Sequence, residues 1–176
     1  MSGTHLHLML THIPILGIVF GLGLFLFALM KKSIELKKIC LGIFVLSAIA
    51  AIPVYFTGES AEERVEDLAG VSESIIERHE ESAQLALAIV EGLGLVALGG
   101  LLRFRYATSI PTVYTVAVIC LALSASGVIG WTANLGGQIR HTEIRTEAGT
   151  VAADAETEHD GRENNHEHEE EGEEED

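Results

Sequence analysis

Four stretches of this chain are almost free of charge, and each is long enough to cross a lipid bilayer. They read IPILGIVFGLGLFLFALM, ICLGIFVLSAIAAIPVYF, AQLALAIVEGLGLVALGGLL and VYTVAVICLALSASGVIGWTANL, and Glu91 is their one ionisable acid. A helix rises about 1.5 Å per residue, so roughly 20 apolar residues traverse a hydrocarbon core of about 30 Å. None of the four runs has the polar stripe that a helix of a soluble bundle shows at helical period. They predict an all-α, polytopic membrane protein: an up-down bundle of four transmembrane helices with spans near 13–30, 39–57, 83–102 and 113–135. Residues 1–149 form the helical domain in this reading.

The charge distribution agrees. The chain is 48% hydrophobic yet carries a formal net charge of −15, which requires apolar and acidic residues to lie in different segments. Most of the acid falls in two places. One is the connection between the second and third runs. The other is the segment 150–176, where DAETEHDGRENNHEHEEEGEEED has too little apolar surface to build a core and reads as a disordered acidic tail.

The basic residues sit elsewhere. KKSIELKK joins the first two runs, and RFRYATSIPT, with Arg103 and Arg105, joins the last two. Short cationic loops face the cytoplasm, so the acidic connection and both termini are expected outside. Trp131 suits an interfacial anchor at that outer end. The first run is read as a retained span, because its charges follow the apolar stretch and no small-residue cleavage site ends it. Cys40 and Cys120 form no CxxC or CxxCH spacing and read as packing residues.

Small residues punctuate the spans. Gly17 and Gly21 form a GxxxG, which marks either close packing inside the bundle or a dimer face. Pro14 is expected in the first turn of the first helix, where a missing N–H does no harm, with His5 and His7 on a short segment before it. Pro53 is expected to kink the second helix. Ser60 and Glu63 read as a capping box opening a helix in the acidic connection. From about Ser72 a long helix of some 30 residues is expected to run into the third span and project two to three turns beyond the bilayer. A turn is expected at Gly136 and Gly137.

The histidines carry the chemical question. All eight fall on the expected outer side: His5, His7 and His12 before the first span, His79 before the third, His141 after the fourth, and three in the tail. Imidazoles from different helices at one level make a ligand set for haem iron, copper or zinc. His12 and His79 stand at similar distances from their apolar runs and are the first candidates, with His7 and His141 as substitutes or supporting partners. Water and headgroups satisfy many interfacial histidines equally well. Glu91, Gln84 and Glu80 share one face of the third helix and form a candidate proton path; a lone buried glutamate also serves as a plain hydrogen-bond donor, with Ser47, Ser124 and Ser126 as available partners. The tail's HEH suits loose metal binding or a solvated charge run. No GxSxG, HExxH, Walker or dinucleotide motif occurs, and the acidity argues against nucleic acid.

His7-Leu-Met-Leu-Thr-His12-Ile-Pro14-Ile resembles the HPxxVHFPI opening of bacterial membrane proteins of the domain of unknown function 2231 family. Thr57-Gly58, His79 and Gly136-Gly137 are similar to further landmarks of that family. Two departures stand out: Leu8 replaces a proline, and QIRHTEIR follows the double glycine. The resemblance covers about residues 5–141 and implies a multi-pass protein of the bacterial cytoplasmic (inner) membrane. Some relatives are joined to Rieske-type iron–sulfur domains, which implies redox surroundings.

These observations together lead to three expectations. The first is a b-type haem electron-transfer protein or respiratory subunit, a redox component rather than an enzyme by itself. In it His12 and His79 are axial ligands, and Arg78 or Arg140 pairs with haem propionates. The second is a copper or zinc binding or transport protein using His12, His79 and His141. The third is a cofactor-free assembly subunit. Expected partners are the bilayer, a respiratory or iron–sulfur redox protein, and a second copy of the chain.

Overall fold

The computed structural model describes residues 3–62 and 73–140. The acidic tail, His141 and most of the proposed capping segment lie outside them. Four long helices follow one another: α1 (Gly3–Met30), α2 (Ile34–Glu62), α3 (Glu73–Phe104) and α4 (Thr112–Arg140). Each contains a window apolar and long enough to cross a membrane.

The α1–α2 connection takes only residues 31–33. Lys32 adopts a left-handed conformation (φ 51°), its N–H donates to the Leu29 carbonyl, and the Ser33 N–H donates to the Ala28 carbonyl, each at 3.0 Å. This pairing closes the helix in a Schellman turn, with lysine where glycine is usual. Ser33 then opens α2, its hydroxyl accepting the Leu36 N–H at 3.3 Å. Lys38 donates both to Glu35 (3.2 Å) and to the Arg105 carbonyl (3.1 Å), joining this turn to the one after α3.

Close contacts set the packing. Gly17 lies against Ser47 and Gly21 against Phe44, so a Cβ at either position would collide with α2. The GxxxG therefore serves the contact between α1 and α2. Gly94 meets Ala48 across α2 and α3, and the Tyr114 hydroxyl donates to the Val96 carbonyl across α3 and α4 at 2.8 Å. These pairs run in opposite chain directions, so each helix is antiparallel to the next. Ile18, Phe25, Phe44, Leu93, Val118 and Ala125 belong to one buried cluster fed by all four helices, an arrangement compatible with a four-helix bundle.

The outward faces are apolar too. Phe20, Leu46, Leu95 and Leu123 are all exposed, and only 28–33% of each apolar window is buried. Water would penalise such a surface, whereas lipid tails match it.

Three local expectations need correction. α1 begins at Gly3, so His5, His7 and His12 all lie on the helix and Pro14 sits well inside it. A proline there removes one N–H and crowds the preceding turn. The Thr11 hydroxyl donates to the His7 carbonyl (2.5 Å) and the His12 ring to the Leu8 carbonyl (2.8 Å), neither of which is the Leu10 carbonyl that the missing Pro14 N–H leaves open. Ser60 lies within α2, not at the start of a new helix. α4 runs through Gly136 and Gly137 to Arg140, with Gln138 donating to Asn134 one turn back at 2.6 Å.

Candidate functional site

The amino-terminal ends of α1 and α3 lie beside the carboxy-terminal ends of α2 and α4. Two imidazoles reach across helix boundaries at this end. His7 of α1 is half-buried, and its Nδ1 lies 3.0 Å from the Val54 carbonyl of α2. His79 of α3 is half-buried, and its Nδ1 lies 3.0 Å from the Thr132 carbonyl of α4. A carbonyl only accepts, so each ring carries its proton on Nδ1 and keeps a lone pair on Nε2. This is the tautomer and the tether that metal-binding histidines use. His7 is close enough to His79 for a charge on one ring to be felt by the other.

Hydroxyls brace both contacts. The Thr57 hydroxyl donates to the Pro53 and Val54 carbonyls (2.8 and 3.0 Å) and lies 3.4 Å from His7 Nδ1. At the other ring, Ser82 donates to Thr132 Oγ1 (2.9 Å), which donates to the Val128 carbonyl at the same distance.

His12 does not join this pair. It is exposed, on a different face of α1 from His7, and its ring is bonded within its own helix. His5 is exposed as well. Helical phase explains the difference. His7 stands in register with the buried residues Pro14, Ile18, Gly21 and Phe25, whereas His12 shares its face with the exposed Leu8 and Val19. His79 is likewise in phase with Ser82, Ala86, Val90 and Leu93, all buried. The burial pattern of the folded bundle, rather than distance from the apolar run, distinguishes His7 from His12.

The remaining candidates are spread out. Arg78 is exposed beside His79 and, with Glu81, Ser82, Leu85 and Trp131, lines a shallow groove between α3 and α4. Arg140 ends α4, one turn beyond Gly136. Gln84 donates to Glu80 at 3.3 Å, and both are exposed on the outer face of α3. Glu91 lies further along that helix, its Oε1 buried with no hydrogen-bond partner among the described residues. Two of the three serines named as available partners bond elsewhere: Ser47 to the Ile43 carbonyl and Ser126 to the Ala122 carbonyl.

Two imidazoles whose Nδ1 is held by a carbonyl, and whose Nε2 has no hydrogen-bond partner among the described residues, could serve a metal ion or a haem iron. A structural zinc site takes four protein ligands and a catalytic one three. Among the described residues, no group of three or more His, Cys, Asp or Glu is placed to hold a metal ion. Comparison with family models, with curated proteins and with solved structures finds no match to this chain.

Proposed function

We propose that this chain is a multi-pass membrane protein that holds a b-type haem between His7 and His79 and passes electrons at that end of the bundle. One observation carries the reading: two half-buried imidazoles from separate helices, each tethered through Nδ1 to a carbonyl of the following helix, with Nε2 left for coordination. Haem supplies a one-electron couple when bound, and ligation by two imidazoles favours electron transfer over oxygen chemistry. His7 and His79 hold the iron. The Val54 and Thr132 carbonyls fix the ring orientation and raise imidazole basicity. Arg78, exposed next to His79, offers a guanidinium for a propionate.

The positive-inside tendency places the Lys31–Lys38 and Arg103–Arg105 turns in the cytoplasm, so the histidine end faces outward, with both termini, across a bacterial inner membrane. A respiratory or iron–sulfur redox protein is then the natural partner there.

The test is a reduced-minus-oxidised optical spectrum of the purified protein. A b-type band is expected, lost in His7→Ala and His79→Ala and kept in His12→Ala. A colourless protein with stoichiometric copper or zinc would replace this reading with metal binding. Full retention of the band in both alanine variants would overturn the ligand assignment.

A further inference from the structure

The two tethered histidines share more than a hydrogen bond. Gly58 follows Val54 by four residues on α2, and Gly136 follows Thr132 by four residues on α4. Each glycine therefore lies one turn beyond the carbonyl that receives the ring, on the same helix face. A Cβ built on Gly58 would lie 3.3 Å from His7 Cε1, and one on Gly136 would lie 3.1 Å from His79 Cε1. Among the described residues, only His7 atoms come within 4 Å of a Cβ at Gly58, and the three nearest atoms to one at Gly136 all belong to His79.

We infer that Gly58 and Gly136 are positioning residues in two equivalent imidazole clamps, in which a carbonyl holds Nδ1 and a bare backbone one turn later receives the Cε1 edge, leaving Nε2 as the ligating nitrogen. The inference rests on the haem reading for its purpose, but the clamp itself is a property of the chain alone.

The geometry makes the clamps unequal. At Gly136 a Cβ would also come within 3.8 Å of His79 Nε2, the coordinating atom, whereas at Gly58 it would reach only Cε1 and Nδ1 of His7. A methyl at 136 makes ordinary contact with that nitrogen, and a longer side chain lies against the coordinating edge of the ring. Substitution at 58 acts only by pushing the ring off its carbonyl. A methyl group requires a shift of a few tenths of an ångström, which a hydrogen-bonded ring absorbs in part. A branched side chain leaves the ring no place against the helix. Gly130 supplies the control, because nothing lies within 4 Å of a Cβ there and it is on the same helix.

The experiment compares Gly136→Ala, Gly136→Leu, Gly58→Leu and Gly130→Leu in the full-length, detergent-solubilised protein. Two signals are read. Nitrogen NMR of the imidazoles, taken before haem is added, reports the tautomer. Haem titration reports affinity. In the parent protein both His7 and His79 are expected to show the Nδ1–H form. Gly136→Leu is expected to lose that signature for His79 and to bind haem about 10-fold or more weakly, the usual effect of removing support behind a metal ligand. Gly136→Ala is expected to fall between it and the parent, Gly58→Leu to weaken haem less than Gly136→Leu, and Gly130→Leu to match the parent. Equal behaviour of Gly136→Leu and Gly130→Leu, or an Nε2–H form in the parent, would overturn the clamp. A parent protein with the tautomers intact and no haem affinity would sink the haem reading and leave the clamp standing. Should Gly136→Leu fail to fold, Gly136→Ala carries the same comparison through its graded loss.

Discussion

The two ends of the bundle are held by different mixtures of contact. At the basic end, backbone groups close the turns on themselves, and long-range side-chain bonds run from Lys38 to the Arg105 carbonyl and from the Tyr114 hydroxyl to the Val96 carbonyl. At the histidine end, imidazoles leave their own helices and seek carbonyls on the next. Charged side chains at the first end are exposed and cost little to rearrange. Rings at the second are half-buried, and their proton positions are fixed by what they touch. The lesson is that polar residues at helix ends of a membrane bundle fall into two classes: those that finish a helix, and those held between helices with one polar atom left over.

The comparison is broken most directly at the rings. His79→Ala removes an interhelical hydrogen bond contributing about 1 kcal/mol and, on the haem reading, an axial ligand. Thermal melting should fall modestly while the b-type band disappears. A melting loss with the band unchanged would make the histidine end merely structural, like the other end.

Glu91 lies between the two ends and belongs to neither class. A buried oxygen without a partner costs about 1–3 kcal/mol. Glu91→Leu should therefore raise the midpoint of thermal unfolding, and Glu91→Gln should change it less. A fall in stability on Glu91→Leu would show that the carboxyl is bonded in the folded protein, by water or by a second copy.

Effects at the basic end should be smaller. Lys32→Gly relieves a left-handed conformation that costs a side-chain-bearing residue about 1 kcal/mol, and should stabilise by a comparable amount with no change in any spectrum. Lys38→Ala removes both the ion pair with the exposed Glu35 and the bond to the Arg105 carbonyl, at a cost of about 1 kcal/mol or less. If either substitution altered haem affinity, the two ends would be coupled, and the division drawn between them would fail.

Helix number and approximate extent were legible in the chain because apolar length leaves few alternatives. The long third helix is the clearest instance: its pattern from Ser72 onward predicts α3, observed as Glu73–Phe104. Helix starts were less legible. Pro14 signals a first turn, yet α1 extends eleven residues before it. The double glycine reads as a turn, but Gly136 is needed as a bare surface for a ring that arrives from another helix. Such a requirement has no local signature. Neither the selection of His7 over His12 nor the carbonyl that each ring finds was legible, because α1 is apolar all round and its inward face shows only in the packed bundle.

The brevity of the Lys31–Ser33 link has a consequence for how the protein is made. Residues 7 and 58 belong to helices that a three-residue connection obliges to come together as one hairpin, so the first ring is seated early in synthesis. The second must wait for residue 136, long after its own helix has been laid down. A nascent chain paused anywhere in between would present one seated ring and one open one, and on the haem reading prosthetic-group capture would belong to the last moments of assembly.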